Sequence, residues 1–305
     1  MSSYYVGVDI GGTSVKLGSF DIEGKLLEKW EISTRKENHG SEILSDIAAS
    51  IREKVKGEIA GIGLGVPGPI TDDGTVLKCA NLGWEVFNVA ERVTELTGVT
   101  NVAVGNDATV AGLGELWQGG GRGFKDMIMV TLGTGVGGGV ILNGEILSGS
   151  KGAAGEIGYI KVEAEESDTC GCGGHGCLEQ YASATGIVRM AKKYMKPDSA
   201  ISNCEKLSAK IIFDDAKAGD SYCMEIVEKF GKYLGTALSN ISCVVDPEVI
   251  VIGGGVSRAG QIIIDVVEKW YNEKSMFALK NKEFRLAELG NDAGIFGCVK
   301  MVMKK

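Results

Sequence analysis

Twice in this chain a β-branched and aromatic run stops at a short turn of glycine and threonine, then resumes as an alternating apolar run. The first case is Tyr4 to Ile10, Gly11-Gly12-Thr13, then Val15 to Phe20. The second is Met127 to Leu132, Gly133-Thr134-Gly135, then Val140-Ile141-Leu142. Each reads as strand, turn, strand, and Asp9-Ile10-Gly11-Gly12-Thr13 and Thr131-Leu132-Gly133-Thr134-Gly135 mark a weak internal repeat. Glycine lets backbone N–H groups converge on an anion and threonine adds a hydroxyl donor, so two such turns can clamp one triphosphate. Taken singly, each is also an ordinary tight hairpin.

Around the two turns the pattern is α/β. A second strand pair is expected around Lys25 to Ile32, and Ile43, Leu44, Ile47, Ile51 and Val55 predict a helix capped near Ser41. Ile59 to Val66 is a short buried strand that ends at Pro67-Gly68-Pro69, and Val89 to Leu96 has helical spacing. Val102-Ala103-Val104 then delivers Gly105-Asn106-Asp107 to the end of a strand, with a helix through Val110, Leu113 and Leu116 beyond it. Gly119 to Gly123 reads as a hinge. A helix from about Asp220 to Val244 leads through Asp246-Pro247 into the strand Val249 to Ile252, which ends at Gly253-Gly254-Gly255 before another helix. A length of 305 residues points to two domains, and this order places ligands at the carboxyl ends of strands.

Several function classes fall away. Gly133-x-Gly135-x-x-Gly138 matches the dinucleotide fingerprint, but that motif needs a helix after it. Here Val140 to Leu147 is apolar on both sides of Asn143-Gly144, a hairpin signal, which argues against a nicotinamide or flavin enzyme. The Walker phosphate loop is absent. A net charge of −8 argues against nucleic acid or an anionic membrane as a main partner. No stretch approaches the roughly 20 apolar residues that cross a bilayer, and the opening residues lack a signal-peptide pattern, so the cytoplasm is expected.

Five of the eight cysteines are scattered and three cluster as Cys170, Cys172 and Cys177, which reads as reduced thiols plus one metal site. The C-x-C-x₄-C spacing suits tetrahedral zinc on three corners. His175, inside the same loop, is one candidate for the fourth; water or another group is a second; and a loop without zinc is the third reading.

Asp9-Ile-Gly-Gly-Thr13, Gly65-Val-Pro-Gly68, Asn106-Asp107, Thr131-Leu-Gly-Thr-Gly-Val-Gly-Gly138, Gly155-Glu-Ile-Gly158 and Cys170-Gly-Cys-Gly-Gly-His-Gly-Cys-Leu-Glu179 occur in the order found in the ROK family, which the chain resembles along essentially its whole length. That family holds repressors and sugar kinases. Its repressors carry a DNA-binding segment before the first phosphate turn, whereas here the turn begins within ten residues of the start, so the resemblance implies a kinase similar to bacterial glucokinase. It implies the two-domain actin/hexokinase-like (ribonuclease H-like) α/β fold with an interdomain cleft. The expected domains are 1–118 plus 293–305, a small domain with the first phosphate turn and the base, and 119–292, a large one.

The implied reaction moves the γ-phosphate of MgATP to a hexose, with glucose to glucose 6-phosphate as the leading case. A kinase for N-acetylmannosamine, allose or fructose, and a non-catalytic sugar-sensing regulator, are the alternatives. Asp107 is the expected general base, and Asn106-Asp107 is equally good helix-capping chemistry. The resemblance further implies sugar contacts from Gly68, Asn81, Asn106, Asp107, Glu156 and Glu179. It implies ATP contacts from Asp9, Gly11, Gly12, Thr13, Lys16, Gly133, Thr134, Gly135, Gly254 and Gly255, and Mg²⁺ near Asp9 through water. Family members are commonly homodimers. One departure stands out: the family's zinc- and sugar-touching histidine after Gly-Glu-x-Gly is Tyr159 here.

Overall fold

The structure, a computed structural model, describes residues 3–196, 199, 201–202 and 204–303. Residues 1, 2, 197, 198, 200, 203, 304 and 305 of the expected domain ranges lie outside the described residues. The chain forms two compact units. One comprises Met1–Gly123, Gly139–Gly155 and Glu288–Lys305, the other Phe124–Gly138 and Glu156–Ala287.

In the first unit the elements are β1 (Ser3–Ile10), β2 (Ser14–Phe20), β3 (Leu26–Ser33), α1 (Glu37–Gly40), α2 (Ile43–Lys54), β4 (Glu58–Val66), β5 (Thr75–Val76), β6 (Phe87–Asn88), α3 (Val89–Thr97), β7 (Val102–Asn106) and α4 (Asp107–Gln118). Its main sheet has the order β3-β2-β1-β4-β7, with β1 antiparallel to β2 and parallel to β4, and β4 parallel to β7. Val6, Val8 and Ile10 of β1 are fully buried, as a strand flanked on both edges and covered by helices requires.

The second sheet has the order β10-β9-β8-β11-β12, built from β8 (Met127–Leu132), β9 (Val136–Leu142) and β10 (Glu145–Ile146), followed after α5 (Glu179–Ala182), α6 (Ala184–Lys193), α7 (Ala209–Lys217) and α8 (Ser221–Val245) by β11 (Val249–Gly253), α9 (Gln261–Lys274) and β12 (Glu283–Leu286). Each sheet is thus a meander whose first strand also pairs with a later parallel strand. The two glycine turns occupy equivalent places, between the first and second strands of each meander. The faint repeat in sequence is a full repeat in topology.

The last helix, α10 (Ala293–Met303), is tied to the first unit through glycine. Gly18, Gly7, Gly63 and Ala103 stand side by side across β2, β1, β4 and β7. Into this shallow row α10 lays its backbone: a Cβ on Gly7 would stand 2.2 Å from Ile295 O and one on Gly63 1.9 Å from Cys298 O. The same helix meets α4 as closely, since a Cβ on Gly297 would stand 1.7 Å from Val110 O and one on Gly114 2.2 Å from Ala293 O. Small residues at both surfaces are what allow two backbones to approach this far.

Local expectations fail at three points. The expected pair around residues 25–32 is one strand, β3 (Leu26–Ser33), because β3 pairs with β2 from Ser14↔Ser33 to Phe20↔Leu26. Helix α2 starts after Glu42, with no side-chain cap, and the Ser41 hydroxyl turns to Glu42 instead. Residues 139–155, assigned by expectation to the 119–292 domain, pack in the first unit; a Cβ on Gly139 would stand 3.2 Å from Thr109 Cα and one on Gly152 2.4 Å from Ile70 O. The glycine-rich stretch 119–123 is held firmly. Gly119 and Gly121 N–H donate to Glu115 O, and Gly120 N–H donates to Glu115 Oε2 at 2.9 Å.

The glycine row makes a direct prediction. Gly63→Ala should cost about 1–3 kcal/mol or more of stability through the clash with Cys298 O, read as a lower urea midpoint or loss of soluble protein. An unchanged midpoint would show that α10 is free to retreat.

Candidate functional site

Asp9 and Gly65 are the penultimate residues of β1 and of its parallel neighbour β4, one beside the other in register. The next strand across, β7, pairs Gly105 with Gly65 and hands the chain to Asn106 and Asp107. A Cβ on Gly65 would stand 3.7 Å from Asp9 Oδ1 and 3.6 Å from Asp107 Cα, so two carboxylate residues flank one strand end. Asp9 is also wedged against the start of α10, where a Cβ on Gly294 would stand 2.6 Å from its Cγ.

The capping reading resolves between neighbours. Asn106 is the N-cap of α4: its Oδ1 accepts from Ala108 N–H at 3.1 Å, Thr109 N–H at 3.2 Å and the Thr109 hydroxyl at 2.9 Å. Its Nδ2 donates to Gly68 O at 3.1 Å, which ties the Pro67-Gly68-Pro69 loop to the same helix start. Asp107 is the first helical residue, with one carboxylate oxygen on Ala108 N–H at 2.8 Å. Burial raises its pKa above the ordinary carboxylate value, against the lowering effect of the Ala108 N–H. Asp9 is raised to about 6, first by burial and then by the Asp107 charge, with Lys16 opposing.

Asp9, Gly11, Gly12, Thr13, Ser14 and Lys16 line a cavity of about 240 Å³. A carboxylate with the hydroxyls of Thr13 and Ser14 is a hard-oxygen donor set and fits Mg²⁺. Thr34 braces the turn, its hydroxyl donating to Gly11 O at 2.7 Å and its N–H to Thr13 O at 3.0 Å. Lys36 stands over the turn, its Nζ 3.3 Å from where a Gly12 Cβ would be. Sequence reading passed over Lys36, since it follows an exposed strand with no motif around it. Lys16 donates to Asn291 O at 3.2 Å. Asn81 is exposed in the turn after Cys79, and Gly68, at φ 101°, backs onto Lys78 of that loop.

In the second unit Gly133, Thr134 and Gly255 share a cavity of about 520 Å³ with Ser208, Lys210, Asp214 and Arg258. Of these, Lys210 and Asp214 form an i,i+4 ion pair at 2.6 Å. Thr185 donates its hydroxyl to Thr134 O at 2.7 Å, and Ala184 N–H donates to Gly133 O at 2.8 Å. Gly254, by contrast, is a backbone necessity: at φ 86° a Cβ there would meet Leu132 O at 2.4 Å.

Glu179 opens α5 and lies under the same turn. Its Oε2 accepts from Val136 N–H at 3.2 Å and occupies the space a Gly135 side chain would need, 2.2 Å from that Cβ position. Glu156 is exposed at the start of a short 3₁₀ turn that leads to Tyr159. Burial, then the charges of Glu179 and Glu156, hold the Tyr159 hydroxyl above its ordinary pKa. The thiols of Cys170, Cys172 and Cys177 lie within 4.8 Å of one another, a donor set that fits a thiophilic cation on three corners. His175 is corrected as a ligand: it is exposed, bridges to Thr169 in the loop, and does not join the cluster. Among the described residues no helix is long and apolar enough to cross a membrane.

The chain is 42% identical to a glucokinase of Halalkalibacterium halodurans, over 96% of this chain and 93% of that protein. It is 35% identical to a glucokinase of Thermotoga maritima, over 98% and 97% of the two. A solved ROK family glucokinase from Streptomyces griseus, in complex with glucose and AMPPNP, superimposes with a TM-score of 0.77 at 31% identity, covering 99% of this chain and 100% of its own. The pattern that defines the ROK family runs through residues 5–305, and with all six sequence motifs inside that span, this chain belongs to the ROK family.

Proposed function

We infer that this protein transfers the γ-phosphoryl group of ATP to a hydroxyl of glucose, with Asp107 as general base. The observation that carries the assignment of the base is the division of labour at the start of α4, where Asn106 takes the capping bonds and leaves a half-buried carboxylate with a raised pKa at a strand end. Such a carboxylate holds a proton more readily than one in water, which suits it to receive one as the new P–O bond forms. The activities named for the glucokinase relatives support the substrate class.

The remaining roles follow from chemistry. The cavity beside Gly133, Thr134 and Gly255 suits the nucleoside, with Gly135 completing the turn. Gly11, Gly12 and Thr13 offer N–H and hydroxyl donors to phosphate oxygens, and Lys16 and Lys36 supply positive charge. Asp9 would hold Mg²⁺ through water, and the ion supplies charge that offsets the phosphates. Asn106, Asp107, Glu156 and Glu179, with Gly68 and Asn81, are the proposed sugar partners, the carboxylates accepting from sugar hydroxyls in charge-assisted bonds. Cys170, Cys172 and Cys177 would hold a structural zinc ion that pins the loop leading to Glu179.

Purified protein with MgATP and a panel of glucose, N-acetylmannosamine, allose and fructose, followed by coupled ADP release, tests the assignment. Glucose should give the highest kcat/KM, and ADP release with no hexose in the panel would overturn it. Asp107→Asn should lower kcat by about 10²–10⁴ while circular dichroism and ATP binding stay unchanged. Near wild-type turnover would remove Asp107 from the role. Gly133→Ala tests the second turn cleanly, because a Cβ there meets nothing within 4 Å. The fold should be untouched and the KM for ATP should rise roughly tenfold, about 1.4 kcal/mol.

The acid limb of the pH profile provides a further check. In nucleotide-free protein Asp9 carries its charge only above about pH 6. A cation favours the charged carboxylate, so kcat/KM for ATP should fall as pH drops through about 6, and higher Mg²⁺ should move that limb to lower pH. Asp9 and Asp107 interact, so the limb belongs to the pair. A limb that ignores Mg²⁺ would dissociate Asp9 from the ion.

A further inference from the structure

Glu179 stands on α5, a helix of four residues. A single turn gains too few hydrogen bonds to offset the cost of starting a helix, so its geometry has to be imposed from outside. Glu179 O accepts from the Ser183 hydroxyl at 2.7 Å, and a Cβ on Gly186 of α6 would stand 2.7 Å from both Glu179 O and Gln180 O. Gln180 is fixed at both atoms of its side-chain amide, Oε1 accepting from Cys177 N–H at 3.0 Å and Nε2 donating to Asp168 O at 2.8 Å.

The remaining contact comes from α6. Arg189 turns its guanidinium back on α5, with Nε and Nη2 donating to Gln180 O at 3.3 Å and 3.2 Å. That carbonyl belongs to the residue next to Glu179, so its place limits where the Glu179 side chain can start. Arg189 is held in turn. Its Nη2 donates to Glu166 Oε2 at 2.7 Å, its Nη1 to Asp168 Oδ2 at 2.7 Å, and the guanidinium lies 5.1 Å from the centre of the Tyr181 ring. The Glu166 side chain is 1% exposed, and it also accepts from the Tyr181 hydroxyl, from Asp168 N–H at 3.0 Å and from Lys193 at 3.3 Å. A buried ion pair adds little net stability over apolar residues of the same volume, whereas the planar arginine fork fixes direction.

What this fork directs is the Glu179 carboxylate, whose Oε2 accepts from Val136 N–H at 3.2 Å and whose Oε1 lies 3.9 Å from the Cys170 sulfur. We propose that Arg189, anchored by buried Glu166, is a positioning residue for glucose binding: it fixes the α5 turn so that the Glu179 carboxylate meets the sugar hydroxyls already oriented. The inference rests on the reading of Glu179 as a sugar partner and names the residue that sets it. Arg189 lines neither cavity at the glycine turns, and the turn at Gly133-Thr134 is tied separately to Ala184 and Thr185. Its effect therefore falls on the sugar and not on ATP.

Steady-state kinetics test this. Arg189→Lys keeps the charge but loses the fork that reaches Glu166 and Gln180 together. It should raise KM for glucose about tenfold and leave kcat and KM for ATP near wild type, the pattern of lost ground-state binding. Glu166→Gln combined with Arg189→Met removes the pair without leaving a buried charge, so it should fold by circular dichroism and still show the raised KM for glucose. A wild-type KM in either variant would overturn the proposal. Glu179→Gln should raise the same KM, and adding Arg189→Lys to it should change little more, because the arginine acts through that carboxylate. Fully additive effects would refute the positioning role. An unchanged KM for glucose in Glu179→Gln would sink the reading of Glu179 and this inference with it, whereas a raised KM there beside a wild-type KM in Arg189→Lys sinks the inference alone.

Discussion

The first unit rests on contact between backbones. Helix α10 lies close enough to β1 and β4 that Gly7 and Gly63 have no room for a methyl group, and it meets α4 through Gly114 and Gly297 in the same way. Dispersion between close-packed backbones is weak per atom and large in sum, and it vanishes steeply with separation. The consequence reaches the chemistry. Asp9 sits at the end of β1 against Gly294 of α10, and Asp107 sits at the start of α4, so one helix fixes the elements that carry both carboxylates. An abundance of glycine that in composition suggests only turns is here partly a means of packing.

A second constraint keeps the far end of α4 in place. Glu115 is fully buried, and its carboxylate accepts from Gly120 N–H, Glu288 N–H at 3.0 Å and Leu289 N–H at 2.9 Å. A buried carboxylate is costly unless it is satisfied, and three backbone donors satisfy this one. The residues it binds are those where the chain leaves the first unit after α4 and where it returns before α10. A helix that carries the proposed base at its start is therefore anchored at its end to both strands of chain that cross between the residue ranges.

Much of this was legible because strand, turn and helix signals are local. The two glycine and threonine turns, the β7 to α4 junction and the Asn143-Gly144 hairpin all follow from residues within a few positions of one another, and each is where the pattern puts it. The errors share a cause. Whether residues 25–32 make one strand or two depends on the length of β2 opposite them, and whether residues 139–155 belong with the first unit depends on Thr109 and Ile70, which are remote in sequence. Lys36, Lys210 and Arg258 carry no motif, since a cation on an exposed segment looks the same whether it faces water or a glycine turn. His175 failed for the converse reason. A histidine two residues from a cysteine looks like a ligand until the turn directs it away.

Glycine itself shows most sharply where sequence stops. Gly254 and Gly255 are adjacent and both are expected ATP contacts, yet they answer to different physics. At Gly254 a side chain would strike Leu132 O and the backbone lies at positive φ, so glycine is demanded by the fold whether or not any ligand exists. At Gly255, as at Gly133, an added Cβ would meet empty space, and both residues line the larger cavity of the second unit. Nothing inside the protein excludes a side chain from those two positions. Glycine at those two positions keeps the cavity wall bare, which would suit the phosphates of the proposed nucleotide.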